Sequence, residues 1–210
     1  MLNFQRKEDD RMKKPGIFFL LIVMALFLLS MTPAYAKPLA SNYAQLKIGG
    51  FFPQTNDLDH FDAGGSIEVG IGHRVAPGFA IEGNFGYFET KGTFNLPGIG
   101  SADETFKVMP LTMSFKGQAF FDRFEPYAEA GIGVYFIKDE LNGTVLGFSG
   151  SDSENDTQLG LHVGLGGNYN ITPQVFLGVE GRYLWLRTDT FGVDVQLDGF
   201  LLTANLGYRF

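Results

Sequence analysis

The stretch Phe200-Leu201-Leu202-Thr203-Ala204-Asn205-Leu206-Gly207-Tyr208-Arg209-Phe210 carries an apolar residue at every second position from Phe200 to Phe210. From Thr203 onward, the positions between them hold polar residues or glycine. A period of two puts the two sets on opposite faces of a β-strand, whereas a helix would need a period of 3.6. Residues 197–210 are therefore predicted to form a strand with one apolar face and one polar face.

Seven other segments show the same alternation over about ten residues, which is the length that a tilted strand needs to cross a membrane. They are 43–52, 64–74, 79–89, 105–119, 126–138, 157–169 and 174–187. Three of the connections are short, near Pro77, Asp122 and Pro173. The other four are long and polar, at about 53–62, 90–104, 139–156 and 188–196. Short turns on one rim and long loops on the other are typical of outer-membrane β-barrels, and eight strands put both termini on the periplasmic rim.

A water-soluble barrel or a β-sandwich is the alternative, and in those folds the apolar face points inward. Glycines concentrate on the polar face, however, and the narrow interior of an eight-stranded barrel needs small residues. Aromatic residues also cluster at both strand ends, as expected for girdles at two membrane interfaces. One cluster is Phe79, Phe121, Tyr127, Tyr169, Tyr208 and Phe210, and the other is Phe52, Tyr87, Phe136 and Trp185. The predicted fold class is all-β, an eight-stranded antiparallel transmembrane up-and-down β-barrel over residues 43–210.

The first 36 residues have the organisation of a cleavable signal peptide. Lys13 and Lys14 precede an uninterrupted apolar run over 17–29, and Ala34-Tyr35-Ala36 supplies small residues ahead of a cleavage point. The run is shorter than the roughly 20 residues of a membrane-spanning helix, which is the alternative interpretation. Residues 1–36 are therefore predicted to be removed, with Met12 as an alternative start of translation. Residues 37–42 would then form a short periplasmic segment ahead of the barrel.

The charge and the lack of cysteine exclude some classes of partner and site. The signal region holds five of the 16 Lys and Arg and three of the 23 Asp and Glu, so the mature chain would have a net charge of −9. Such an acidic chain repels the phosphates of nucleic acid. The chain has no cysteine, so it forms neither disulfide bonds nor thiolate metal sites.

The segment Leu206-Gly207-Tyr208-Arg209-Phe210 makes the chain similar to the small outer-membrane barrel family of the OmpA/OmpX, Ail and opacity-protein type. The resemblance covers about 42–210 and implies a place in the cell outer membrane, as a monomer in contact with lipid and lipopolysaccharide. It also implies that the barrel-assembly machinery reads Leu206, Tyr208 and Phe210 as an assembly signal, with periplasmic chaperones assisting. The OmpW type is a close alternative, but its lumen is usually larger and apolar, whereas the inward face here reads as polar.

The charged residues of the polar face would be enclosed in the barrel. They are Lys47, Glu68, Glu82, Lys116, Glu129, His162, Glu180, Arg182 and Arg209. A tight turn at Asp122-Arg123 would place Lys116 directly opposite Glu129, at the roughly 4.5–5.5 Å of a cross-strand pair. A charge in a narrow lumen needs a partner, so we expect an interior network of ion pairs and hydrogen bonds. The alternative for the same residues is an ion path, although eight-stranded interiors are usually filled by side chains.

No catalytic, cofactor or metal residue is predicted. His60, His73 and His162 have no local motif that would bring a nucleophile within hydrogen-bond reach of a base. The acidic residues of 57–62 and 151–156 do not match a calcium-binding loop and are interpreted as solvated. The apolar residues within 94–99 and 145–148 either extend the strands above the membrane, which we favour, or contact a partner.

The predicted function is therefore that of a non-enzymatic outer-membrane barrel with a structural or surface-interaction role. Adhesion, defence or envelope integrity would depend on the four long loops, because connecting segments are where binding residues concentrate. The alternative is a narrow channel or porin for small solutes. A lipid-modifying enzyme is a distant third.

Overall fold

The computed structural model describes residues 42–54, 61–96, 100–145, 148–190 and 193–210. The signal peptide predicted for 1–36 lies outside these ranges, as does most of 37–42, so both remain predictions. The described residues form ten strands: β1 (Asn42–Pro53), β2 (Gly64–Ala76), β3 (Phe79–Leu96), β4 (Gly100–Gln118), β5 (Phe124–Val145), β6 (Phe148–Asn170), β7 (Val175–Trp185), β8 (Arg187–Thr190), β9 (Val193–Gln196) and β10 (Gly199–Arg209). Among the described residues, no helix has the length and apolar character needed to cross a membrane.

Eight of the strands close into an antiparallel barrel in the order β1-β10-β7-β6-β5-β4-β3-β2. The barrel closes where β1 pairs with β10, from Tyr43 opposite Arg209 to Pro53 opposite Gly199. The remaining two strands, β8 and β9, form a separate hairpin between β7 and β10. The eight-stranded up-and-down barrel predicted from the alternation is thus confirmed.

The apolar face of every barrel strand points outward. Ile71, Met113 and Leu159 are 65%, 61% and 78% exposed, while the residues on either side of each are mostly buried and polar or small. In water, exposed apolar area costs about 25 cal/mol per Å², and a band of this kind around a whole barrel is a surface for lipid. A water-soluble barrel, with its apolar face inward, is therefore excluded.

The three short connections predicted near Pro77, Asp122 and Pro173 are turns at one rim, which we name the short-turn end. Two of them need backbone with positive φ, at Gly78 (81°) and Asp122 (52°). Glycine has no Cβ to clash there, and aspartate tolerates the left-handed region better than most residues. Both chain ends described by the structure, at Asn42 and Phe210, lie at this rim and are hydrogen bonded to each other.

Two of the four long loops were predicted wrongly, because strands occupy most of 90–104 and 139–156. Pairing continues to Leu96 opposite Gly100 and to Val145 opposite Phe148. Backbone hydrogen bonds need no apolar face, so the ladder continues after the membrane pattern has ended. The interpretation of the apolar residues as strand extensions is confirmed for Phe94, Leu96, Val145 and Phe148, while Ile99 and Leu146 lie outside the described residues. The connection at 188–196 holds the β8–β9 hairpin, and residues 55–60 of the first connection lie outside the described ranges.

The extensions of β3–β6 form a sheet that stands beyond the rest of the barrel. Strand β2 pairs with β3 only as far as Ser66 opposite Phe88, and β7 pairs with β6 only as far as Trp185 opposite Leu161. Beyond those levels β3, β4, β5 and β6 remain paired with one another. We name residues 89–96, 100–107, 138–145 and 148–157 the projecting sheet. At about 3.4 Å per residue, each strand adds roughly 20 Å or more.

Candidate functional site

The barrel interior holds a cluster of seven charged side chains, all 4% exposed or less. We name them the ionic cluster: Lys47, Glu68, Glu82, Lys116, Glu129, Glu180 and Arg182. The Lys116 ammonium lies 2.8 Å from Glu82, 3.1 Å from Glu129 and 3.4 Å from Glu180. The Lys47 ammonium lies 2.9 Å from both Glu82 and Glu180. Four carboxylates thus share three cations in a space closed to solvent.

Arg182 joins β7 to β2 and β5 through the barrel interior. Its guanidinium donates to Glu68 at 3.1 Å, to Glu129 at 3.0 Å and to Glu180 at 2.5 Å. Glu68 lies on β2, three positions from β7 around the closed barrel, so this contact depends on closure of the barrel. Hydrogen bonds between charged groups are stronger than neutral ones, and three on one guanidinium hold its plane in one orientation.

The glycines of the inward face make the room that these long side chains need. A Cβ on Gly164 would lie 3.0 Å from the Glu129 carboxylate, and a Cβ on Gly86 would lie 2.5 Å from the Glu68 side chain. Both glycines directly face those glutamates in the sheet register. The narrow lumen therefore alternates a long charged residue with a glycine across neighbouring strands.

Two tyrosines that were not predicted to join the interior network donate hydrogen bonds to the ionic cluster. The Tyr43 hydroxyl donates to Glu82 at 2.7 Å, and the Tyr127 hydroxyl donates to Glu180 at 2.8 Å. The Lys116 ammonium also lies 4.4 Å from the centre of the Tyr127 ring. The assignment of Tyr127 to an aromatic girdle was wrong, because odd-numbered positions of β5 face inward and its side chain is 3% exposed.

His162 finds a serine partner that its own strand does not provide. Its Nε2 lies 2.8 Å from the Oγ of Ser114 on β4, two strands away, because Gly131 of the intervening β5 leaves the space open. Both side chains are 1% exposed. A general base beside a hydroxyl is a catalytic arrangement only where substrate can reach it. Solvent does not reach the Ser114 hydroxyl, so the pair acts as a packing contact of the lumen.

Three carboxylates of the ionic cluster lie close enough together for a metal ion, since oxygens of Glu82, Glu129 and Glu180 are within 4.8 Å of one another. The same oxygens are contacted by Lys47, Lys116 and Arg182 at 2.5–3.4 Å. Those nitrogens occupy the positions from which a cation would coordinate. We assign the three glutamates to ion pairing.

Arg209 lies apart from the ionic cluster, in contrast to the single network expected from the sequence. It donates to Glu125 at 2.7 Å, and its guanidinium stacks 4.4 Å from the centre of the Phe176 ring at the short-turn end. Arg74 meets the same carboxylate at 3.1 Å. Tyr43 and Phe176 pack between this group and the ionic cluster. Glu125 was missed because the strand was predicted to begin one residue after it.

The half of the lumen farther from the short-turn end is apolar. The expectation of a polar inward face was wrong in this half. Ten side chains fill it, each 3% exposed or less: Phe51, Phe88, Phe106, Val108, Tyr135, Ile137, Leu184, Leu186, Leu197 and Leu201. We name them the apolar layer. The Phe51 and Phe88 rings stack with centres 4.6 Å apart. Adjacent apolar pairs such as Phe51-Phe52 hide this layer in the sequence, because one residue of each pair faces lipid and the other faces the lumen.

Charged residues mark where the lipid-facing band ends and the projecting sheet begins. After Phe136, the next outward residue of β5 is Lys138, which lies directly opposite Lys107. Both lysines contact Glu140, at 2.8 Å and 2.5 Å, and their hydrogen bonds lower the pKa of that carboxyl to about 2. On the inner side of the sheet, burial and the neighbouring charge of Asp139 raise the pKa of Glu104 to about 7.

The resemblance to the small outer-membrane barrels implies an assembly signal of three residues, which the structure places on the lipid-facing side at the end of β10, with Phe210 directly after the strand. Leu206, Tyr208 and Phe210 are 53%, 54% and 60% exposed. Their role in assembly remains a prediction.

Residues 21–210 match the family model described as outer membrane protein beta-barrel domain. Comparison with curated protein sequences found no match. Among solved structures, neisserial surface protein A is 18% identical with a TM-score of 0.56, covering 83% of this chain and 100% of its own. Outer membrane protein OprG from Pseudomonas aeruginosa is 14% identical with a TM-score of 0.60, covering 82% and 97%. Outer membrane protease OmpT from Escherichia coli is 9% identical with a TM-score of 0.50, covering 84% and 99%. At these identities the likeness shows the fold alone.

Proposed function

The chain belongs to the outer membrane protein beta-barrel domain family, and from that premise we propose that it is a non-enzymatic surface protein whose projecting sheet makes contacts beyond the membrane. The role would be adhesion, defence or envelope integrity. The observation that carries the proposal is the continued pairing of β3–β6 past the charged boundary at Lys107 and Lys138. A paired sheet presents a fixed surface, so a partner binds it at a lower cost in ordering than it would bind a free loop.

The packed lumen supports a surface role over a channel. The ionic cluster fills the half of the lumen nearer to the short-turn end with side chains that contact one another. The apolar layer fills the other half. An ion passing between the stacked Phe51 and Phe88 rings would lose its hydration without gaining a polar ligand. We expect no steady conductance across planar bilayers that contain the purified barrel.

The lipid environment would also be a partner at the base of the projecting sheet. Lys107 and Lys138 lie at the level where the apolar band stops, and Lys91 is 64% exposed one row above. Ammonium groups at that depth suit the phosphates of lipopolysaccharide. During biogenesis, the proposed partners remain the barrel-assembly machinery and periplasmic chaperones.

A shortened projecting sheet tests the proposal. In one variant, residues 141–152 are replaced by a short glycine-serine turn, which leaves the barrel strands and the ionic cluster intact. A matched control replaces Thr172 and Gln174 by serine and asparagine at the short-turn end, where both side chains are exposed. Gram-negative cells that express each form are compared for adherence to matrix proteins, survival in serum and resistance to detergent.

We expect the shortened sheet to lose at least one of these properties while the control keeps all three. Gel mobility that changes on boiling would show that both variants are folded barrels. Unchanged performance of the shortened form in all three assays would overturn the proposal, and so would steady single-channel conductance of the wild type.

A further inference from the structure

The outer surface of the barrel has a groove near the short-turn end of β1–β3. It is lined by the apolar side chains of Ile71, Val75 and Ile81, by Gly83, and by the polar side chains of Asn42 and His73. Its volume of about 470 Å³ lies within the roughly 300–1,000 Å³ of small-molecule sites. The groove belongs to the lipid-facing surface, since Ile71 and Ile81 are both part of the exposed apolar band.

Gly83 creates this groove. It faces outward, directly between Ile71 and Met113 of the neighbouring strands, and a Cβ at this position would meet nothing closer than an oxygen of Thr112 at 4.0 Å. Two other outward-facing glycines are covered by aromatic rings, since Phe124 lies 2.7 Å from the Cβ position of Gly167 and Phe200 lies 2.9 Å from that of Gly181. The protein covers those two gaps itself, whereas Gly83, like Gly65 and Gly117, is left open on the outward face, and Gly83 is the open glycine that lines the groove.

A polar pair lines the groove on the short-turn side of Gly83. Asn42 and His73 are directly opposite one another, and the His73 Nδ1 lies 2.8 Å from the Asn42 Oδ1. An amide oxygen only accepts hydrogen bonds, so Nδ1 carries the proton and Nε2 is the nitrogen available to a ligand. Phe210 lines the same side and is 60% exposed, as expected for an aromatic girdle at a membrane interface.

From this geometry we propose that the groove is a binding site for one glycerophospholipid of the membrane leaflet at the short-turn end. One acyl chain lies against Gly83, Ile71 and Ile81, and the headgroup meets His73. His73 shares its row with Ile81, and this row is one step closer to the rim than the row of Ile71 and Gly83, so the headgroup contact lies on the rim side of Gly83, as a headgroup does in a leaflet. The free Nε2 is an acceptor for an ammonium or hydroxyl group of the headgroup.

Lipid is the occupant that this position selects. The groove opens to the hydrocarbon region, and a void beside Gly83 would leave its lining side chains without van der Waals partners. An acyl chain is flexible and narrow enough to fill a gap that a Cβ would enter without a clash. Filling the gap also recovers contacts of the kind that Phe124 and Phe200 supply over the other two glycines.

Native mass spectrometry tests the site. The barrel is refolded in detergent and titrated with dioleoyl phosphatidylethanolamine, and in a second series with dioleoyl phosphatidylglycerol. The wild type should form a 1:1 adduct that saturates before further lipids add. Gly83→Leu fills the groove and should raise the dissociation constant about tenfold or more, which is a loss of about 1.4 kcal/mol or more. Gly65→Leu is the matched control, because Gly65 is an exposed glycine on β2 with open space around it at the opposite end of the strand.

His73→Ala tests the headgroup contact and should raise the dissociation constant several-fold while Gly65→Leu leaves it unchanged. Heat-modifiable gel mobility establishes that each variant is folded. Absence of a saturating 1:1 adduct in the wild type would overturn the proposal. Equal affinities of the wild type and Gly83→Leu would do the same, and an unchanged affinity of His73→Ala would overturn the headgroup contact.

Discussion

Replacing Arg182 by methionine tests whether the ionic cluster stabilises the barrel. Arg182 is 3% exposed and contacts three carboxylates. Without it, Glu129 keeps Lys116 at 3.1 Å and Glu180 keeps Lys47 at 2.9 Å. Among the described residues, Arg182 is the cation that forms an ion pair with Glu68. The substitution therefore leaves the Glu68 carboxylate buried without a counter-charge.

The expected loss is about 3–5 kcal/mol of unfolding free energy, the usual consequence of removing one partner from a buried ion pair. Lys116→Met should cost less, about 1–3 kcal/mol, because each carboxylate that it contacts retains another cation. Glu82 retains Lys47 at 2.9 Å, and Glu129 retains Arg182 at 3.0 Å. The double variant Arg182→Met/Glu68→Gln should recover part of the lost stability, because it also removes the unpaired negative charge of Glu68.

Urea unfolding in detergent micelles or lipid vesicles measures these differences, with tryptophan fluorescence and heat-modifiable gel mobility as two probes. The cycle of Arg182→Met, Glu68→Gln and the double variant isolates the pairwise energy, because the two residues are in direct contact. Stability of Arg182→Met equal to that of the wild type would refute the reasoning. A double variant less stable than Arg182→Met would refute it as well.

Three further predictions concern other parts of the molecule. Glu104 has a folded pKa of about 7, above its ordinary value of 4.5, so its contribution to stability is fully present below about 4.5 and is lost as the pH rises through about 7. The urea midpoint of the wild type should therefore decrease as the pH is raised from 5 to 8, and Glu104→Gln should make this decrease smaller. An equal decrease in the variant would contradict the raised pKa of Glu104. Phe88→Ala should lower the unfolding free energy by about 3–5 kcal/mol, because it empties a position stacked on Phe51 in the apolar layer; a loss under about 1 kcal/mol would mean that the layer is loosely packed. Deletion of Phe210 should reduce the amount of folded barrel in the outer membrane while barrels that do fold keep wild-type unfolding midpoints, whereas Phe210→Tyr should assemble normally; unchanged yield on deletion would show that the last residue is not read.

The alternation in the sequence was sufficient to predict which way most side chains point. Parity along 197–210 assigns Arg209 to the lumen and Tyr208 to lipid, and the structure has both in those places. The same rule predicted the strand number and the short turns. It failed where a residue's face was judged by residue type, as for Tyr127, which is aromatic but occupies an inward position.

Alternation along a single strand could not predict features that depend on contacts between strands. Ser114 meets His162 across an intervening strand, and no local spacing reports that contact. The apolar layer was missed because most of its members, such as Phe51 and Leu201, directly adjoin lipid-facing apolar residues in the sequence. The lengths of β3–β6 were underestimated, although strand extension was favoured for their apolar residues, because a polar strand and a polar loop have the same composition once the membrane pattern has ended.

What the sequence determined by itself is the side of the wall on which each residue lies, because a strand has only two faces and successive residues alternate between them. What only the tertiary structure decided is which inward residues meet. Arg182 and Glu68 are 114 residues apart and lie on strands that are three positions apart around the closed barrel, so their contact depends on the order, stagger and closure of all eight strands. The same closure places Arg209 with Glu125 and apart from the ionic cluster, although parity alone assigns all of them to one interior.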